Sequence, residues 1–209
     1  MKKKVMLIVA VVVILAIAVS VILVRSHKPT APDSIGSTAD WTYTQDFGLL
    51  YGAKDGSERQ LLTERSDMTA IGEDRVFYIE GDVLYSINAD GSGKFKITNH
   101  CVANAHPDAL LDRISEYGDQ VTQARTLGYY DGYVYVVVNS AHKAHYLARY
   151  ANGTRDAERV TDAEVNLFVI SEDGLLYGFH SSNNLMEAET AEPLYELLCE
   201  IDLNTFTAN

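Results

Sequence analysis

One hairpin is written several times along this chain. It reads LYSINADGSGKFKIT at Leu84–Thr98, LYGAKDGSERQLLT at Leu50–Thr63, and more loosely YLARYANGTRDAERVT at Tyr146–Thr161. Aligned on their turns, Asp55-Gly56, Asp90-Gly91 and Asn152-Gly153 coincide, and a threonine (Thr63, Thr98, Thr161) closes each copy eight or nine residues later. Asp or Asn before Gly suits a tight hairpin, because the backbone there must reach positive φ. A fourth copy begins as LCEIDLNT, Leu198–Thr205, with Cys199 where Tyr85 stands.

A second element recurs ahead of these hairpins. EDRVFYIEGDVLYSI (Glu73–Ile87), YDGYVYVVV (Tyr130–Val138) and EDGLLYGF (Glu172–Phe179) each set an acidic turn before an aromatic-rich run, and MTAI, ARTLGY and VNLFVI precede them. β-branched and aromatic runs broken by Gly, Asp and Asn are strand chemistry. Each unit therefore reads as four antiparallel strands, the make-up of a propeller blade. The predicted fold is all-β, a partial β-propeller of about four such repeats. The first unit lacks its beginning and the fourth its final strand. Either the domain, 41–209, is truncated at its C-terminus, which is the reading adopted, or its ends close something small, or an open edge pairs with another chain. One insertion, HPDALLDRISEYG at His106–Gly118, has apolar residues at helical spacing and is expected to form a short helix packed on the repeats.

The succession of VFYI or VYVV, then LYSI, then ADGS, then a closing IT resembles a bacterial family of unknown function. That family is itself likened to the six-bladed propeller of low-density lipoprotein receptor-related proteins; TolB-like repeats are more distantly similar. The resemblance covers about Trp41–Asn209. It implies a propeller outside the membrane with a binding or scaffolding role, and it carries no catalytic residues. The receptor repeats' Tyr-Trp-Thr-Asp strand is absent, and Trp41 is the only tryptophan.

The N-terminus is a different kind of sequence. After Lys2, Lys3 and Lys4, residues 5–24 hold one polar residue, Ser20, and Arg25 ends the run. Twenty helical residues span roughly 30 Å, the hydrocarbon thickness of a bilayer. Residues 1–25 are thus expected to form a transmembrane anchor with cytoplasmic lysines, placing the rest outside. A signal peptide cut after Ala16-Ile17-Ala18 is the alternative. Residues 26–40, with two prolines and many small polar residues, read as a flexible tether.

Four of the 17 basic residues and none of the 29 acidic ones lie in residues 1–25, which leaves 13 basic against 29 acidic beyond them, a formal charge of −16. Such a surface repels nucleic acid and anionic polymers. The partners expected are the membrane, through residues 5–24, and a protein or neutral ligand on the loops.

No catalytic, cofactor-binding or metal-ligating residue is assigned. His142 and His145 would point to opposite faces of a strand, and His100, Cys101 and His106 form only a loose cluster, whereas zinc needs three or four converging ligands. Ser86–Ile97 fails as a calcium loop because Ile97 stands where a glutamate is required. The pattern G-x-S-x-G is absent. Asn152-Gly153-Thr154 matches a glycosylation acceptor, but its residues belong to the repeated turn. Tyr51, Tyr78, Tyr85, Tyr135 and Tyr177 are expected to fill the space between repeats, an aromatic ligand platform being the alternative. Whether Cys101 and Cys199 pair is open. The function expected is a membrane-anchored extracytoplasmic binding or scaffold module, not an enzyme; the alternative is an accessory propeller domain of an exported enzyme.

Overall fold

A computed structural model describes residues 34–38, 40–55, 57–103, 125–139, 145–152, 154–182 and 194–207. Residues 1–25, expected as an anchor, most of 26–40, expected as a tether, and 106–118, expected as a helix, lie outside the described residues, as does His142. Among the described residues no helix is long and apolar enough to cross a membrane. The described part is all-β and forms four antiparallel meanders in chain order. Sheet 1 holds β1 (Ser34–Thr38), β2 (Trp41–Asp46), β3 (Leu49–Lys54) and β4 (Gln60–Thr63). Sheet 2 holds β5 (Met68–Ile71), β6 (Arg75–Glu80), β7 (Val83–Asn88) and β8 (Phe95–Thr98). Sheet 3 holds β9 (Leu127–Tyr130), β10 (Tyr133–Asn139), β11 (His145–Ala151) and β12 (Ala157–Arg159). Sheet 4 holds β13 (Leu167–Ile170), β14 (Leu175–Ser182) and β15 (Leu194–Asp202).

The first repeat is more complete than its sequence suggests. Ser34–Thr38, assigned above to the tether, pairs antiparallel with β2. Ser-Ile-Gly-Ser-Thr has almost no apolar periodicity, so its strand character comes from the partner that hydrogen-bonds it. The fourth repeat does lack a final strand among the described residues.

Strand register shows how closely the repeats correspond. The first residue of each second strand faces the last residue of the third: Trp41 faces Lys54, Arg75 faces Asn88, Tyr133 faces Ala151 and Leu175 faces Asp202. From each of those four a carbonyl accepts the amide three residues on, at Ser57, Gly91, Thr154 and Thr205. Counted from these turns, Asp55 and Asn152 hold the second place while Asp90 and Asn204 hold the third. Aligning the copies on Asp/Asn-Gly therefore slips by one residue, because turn residues are interchangeable between neighbouring places and paired strands are not.

The same register explains the repeated leucine. Leu50, Leu84 and Leu147 face Gln45, Ile79 and Val137, and all three are fully buried. In sheet 4 a bulge at Gly178/Phe179 brings Leu197, not Leu198, opposite Phe179. One extra residue flips the side chains beyond it to the other face.

Each sheet packs face to face on its neighbours in sequence. Tyr43 and Leu50 of sheet 1 meet Val76, Tyr78 and Ile87 of sheet 2. Phe77, Ile79 and Leu84 meet Leu127, Val134 and Val136 of sheet 3. Tyr135, Val137 and Leu147 meet Phe168 and Leu176 of sheet 4. β6 and β10 are thus buried on both faces, which is why VFYI and VYVVV run without polar alternation.

Two glycines at corresponding turns differ in what surrounds them. Gly132 and Gly174 have φ of 80° and 86° and accept the amides of Asn152 and Leu203. A Cβ on Gly132 would meet nothing within 4 Å, whereas on Gly174 it would run into the Tyr130 hydroxyl and the Asn204 amide. Tyr130 donates to Asn204 Oδ1 at 2.8 Å, and Asn204 Nδ2 donates to the Asp173 carbonyl at 2.8 Å. Gly132→Ala is expected to cost about 1 to 2 kcal/mol of left-handed strain. Gly174→Ala should cost at least about 1 kcal/mol more for the broken hydrogen bonds. Equal urea midpoints for the two variants would refute this.

Candidate functional site

The first strands of the sheets are neighbours in order, with β1 beside β5, β5 beside β9 and β9 beside β13. Where β5, β9 and β13 come together they border a half-open cavity of about 280 Å³. Thr69 and Ile71 line it from β5, Arg125 and Tyr129 from β9 and the residues before it, and Phe168 and Ile170 from β13.

Its walls follow from local packing. Arg125 and Phe168 exchange both backbone hydrogen bonds at 2.9 Å, pinning the approach to β9 against β13. The Thr126 hydroxyl donates to Met68 Sδ at 2.9 Å, tying sheet 3 to sheet 2. A Cβ on Gly128 would lie 3.0 Å from the Phe168 ring, so glycine lets that ring seat against β9. Tyr129 stacks on Phe77 at 5.6 Å and 19°. Its hydroxyl is buried without a well-formed hydrogen bond, and burial raises its pKa despite the nearby Glu73 and Gly132 amides. Thr69 is already engaged, its hydroxyl 2.6 Å from that of Ser66.

Arg125 brings positive charge to this cavity, and burial depresses its pKa. Tyr129 lines it with its hydroxyl buried, and Ile71, Phe168 and Ile170 supply apolar surface. The cavity's exposed lining is more polar than apolar, so a small ligand there would be held chiefly by polar contacts. Arg125 and Tyr129 were not singled out in the sequence, because ARTLGY reads only as a strand until three strands are brought together.

The residues weighed in the sequence take other places. His145 opens β11, half-buried, with Nδ1 2.8 Å from Asn166 Nδ2. His100 is exposed and left-handed at φ 62°, whereas Cys101 beside it is buried. Among the described residues no three His, Cys, Asp or Glu side chains converge as metal ligands. Asn88 and Asp90 serve their turn: Asn88 Oδ1 accepts from Arg75 Nη2 at 2.7 Å, and Asp90 Oδ1 accepts the Ser92 amide at 2.9 Å. The Ser92 side chain and amide also hold the Asp90 carboxyl below its ordinary pKa. Asn152 of the glycosylation pattern donates to Asp74 Oδ1 at 2.7 Å, bridging sheets 3 and 2.

The five tyrosines are not equivalent. Tyr135 and Tyr177 occupy one repeated place, shared with Tyr43 and Phe77. Tyr78 is one place further along β6, and its buried hydroxyl lacks a well-formed hydrogen bond instead of reaching an edge. Tyr78, Tyr135 and Tyr177 are at most 7% exposed, too enclosed for a ligand to stack on them. Tyr51 and Tyr85 are half-buried under cations, Arg59 at 4.4 Å and Lys94 at 4.2 Å from their ring centres.

Both cysteines are free. Cys101 packs in the cluster between sheets 2 and 3, and Cys199 against that between sheets 3 and 4. Burial, helped by the Asp82 charge and opposed by the Leu84 backbone, pushes the Cys101 thiol up to about 12. Burial also raises Cys199, against contacts from Gly178 and Thr161. The thiolate is the reactive form, so a maleimide should label Cys199 first and Cys101 only on unfolding. Because the folded pKa of Cys101 is raised, its contribution to stability is whole below the ordinary thiol value of 9 and is lost as the pH climbs toward about 12. Equal labelling rates in the native protein would contradict this.

No protein-family model matches the chain, and no curated protein matches it. Solved structures that match include a chain of a S. cerevisiae assembly, Dbp5 bound to Nup159, Gle1, IP6 and ADP, in which Dbp5 and Gle1 each carry one substitution. The identity is 11% and the TM-score 0.35, over 78% of this chain and 41% of that one. This chain accordingly spans less than half the length of that match.

Proposed function

We propose that this protein is a membrane-anchored, extracytoplasmic module of β-propeller type that acts by binding or scaffolding, not by catalysis. The observation that supports it best is the order of the inner strands. Four meanders stacked in sequence, with β1, β5, β9 and β13 successive neighbours, are what a ring of blades requires. The apolar run at residues 5–24 supports the anchor, and the excess of acidic over basic residues favours a neutral or basic partner over nucleic acid.

Two measurements test this reading. Alkaline phosphatase, active only outside the cytoplasm, should give active fusions after residue 40 and inactive ones after residue 4. The full chain in detergent should also be stabilised by a neutral small molecule, by about 2.7 kcal/mol at a hundredfold excess over Kd. Replacing Gly128 by alanine, against the Phe168 ring, should weaken that stabilisation. Inactive fusions after residue 40 would overturn the topology, and turnover of a substrate dependent on Arg125 or Tyr129 would overturn the binding role.

A further inference from the structure

Consecutive residues of three strands, 69–71, 127–129 and 168–170, line the cavity between β5, β9 and β13. Successive side chains of a strand point to opposite faces, so an unbroken run of lining residues brings main chain to the cavity as well as side chain. Peptide N–H and C=O groups are therefore part of what a ligand meets there, in keeping with a lining more polar than apolar.

The charges around the cavity are divided between its two ends. β5 and β9 run in the same direction: near their starts Thr126 meets Met68, and near their ends Gly72 abuts the Tyr129 ring. β13 follows them, with Arg125 paired to Phe168 and Tyr130 against Gly174. Beyond the end where all three strands finish stand the exposed Glu73, Asp74, Asp131, Glu172 and Asp173. Arg75, the cation next to them in sequence, turns its guanidinium away to Asn88 and Ser86. Burial first, and then the Glu73 and Asp74 charges, raise the pKa of the Tyr129 hydroxyl, so the acidic field reaches the lining. Arg125 stands ahead of the start of β9, and among the described residues it is the one charged side chain of the lining.

We propose that this cavity holds a short unblocked peptide of two or three small residues, its carboxylate on the Arg125 guanidinium and its ammonium toward the acidic turns. The proposal rests on the binding role given above and names the class of ligand. Such a peptide is a zwitterion, neutral overall, which a strongly acidic protein accepts more readily than an anion. A guanidinium has five N–H donors, and two in parallel match a carboxylate beside the contacts it keeps within the protein. Burial depresses the Arg125 pKa, and an incoming carboxylate offsets that cost. Arg125 and Tyr129 are four residues apart, at most about 14 Å along the chain, and an extended tripeptide spans about 10 Å. A cavity of about 280 Å³ is at the small end for ligand sites, which restricts the peptide to small side chains.

Triglycine, titrated calorimetrically into the full chain in detergent, tests it. Triglycine should bind, whereas triglycine amide, without the carboxylate, and acetyl-triglycine, without the ammonium, should each bind at least about 10-fold more weakly. The compound 6-aminohexanoate carries both charges but no peptide groups, and it should also bind more weakly. Arg125→Gln should remove the preference for triglycine over its amide and leave that over acetyl-triglycine. Binding of triglycine weaker than about 10 mM overturns the proposal. So does equal binding by triglycine amide, acetyl-triglycine or 6-aminohexanoate. If an uncharged molecule then still stabilises the protein, the binding role stands without this ligand; hydrolysis of triglycine that depends on Arg125 overturns the binding role itself. If Arg125→Gln fails to fold, the comparison of triglycine with its amide on the unaltered protein still decides.

Discussion

Phe77→Ala should lower the unfolding free energy by about 3 to 5 kcal/mol, the range for emptying a buried aromatic site. Phe77 is fully buried at the middle of β6 and faces sheet 3, where Tyr129 stacks on it. Its ring also abuts Gly72, on which a Cβ would lie 2.9 Å from Phe77 and 3.1 Å from Tyr129. Removing the ring opens a void where two sheets meet, and neither β-sheet can shift to fill it without disturbing its own register. The urea midpoint should fall with little change in slope. Phe47→Ala is the control: Phe47 is wholly exposed, and its loss should change stability by no more than about 0.5 kcal/mol. A Phe77→Ala midpoint matching that control would refute the inter-sheet role.

The second large effect is expected at Arg149, a buried cation in the middle of β11. Its guanidinium lies 4.2 Å from the centre of the Tyr133 ring and 4.5 Å from that of Phe206, and Nε donates to Glu158 Oε2 at 2.6 Å. Burial opposes the charge, but Glu158 and Tyr135 more than offset it and hold the Arg149 pKa above its ordinary value. Arg149→Ala removes two ring contacts and an ion pair together, and about 2 to 3 kcal/mol should be lost. That is below the figure for a wholly buried pair because Glu158, 40% exposed, can return to water. Arg149→Met keeps the packing of the stem and should recover part of the loss. If Arg149→Met and Arg149→Ala unfold at the same midpoint, the stem contributes nothing and the cation alone matters.

Most of the strand framework was legible in the sequence because its cause is local. VFYI, VYVVV and LYSI alternate, or fail to alternate, according to whether one or both faces are covered, and MTAI marks β5 to the residue. β1 was not legible because Ser34–Thr38 has no apolar signal of its own. The one-residue slip between turns was hidden because Asp-Gly looks the same at either place, and only the cross-strand pairs Arg75–Asn88 and Trp41–Lys54 settle it. The cavity was hidden for another reason. Thr69, Arg125 and Phe168 are 43 or more residues apart in sequence, and no spacing rule reaches that far. Arg149 likewise looked like one basic residue in a strand, and its burial depends on Tyr133, Glu158 and Phe206 from three other segments.

The sequential stacking of the sheets bears on how the chain is made. Each of the three inter-sheet clusters joins a sheet to the one synthesised just before it. A new meander therefore finds the surface that one of its faces must bury already waiting, and its other face waits only for the next meander, not for a distant segment. For β10, with five buried residues in a row, Val134, Val136 and Val138 are covered by sheet 2 as the hairpin forms, and Tyr135 and Val137 are left to the next meander, sheet 4.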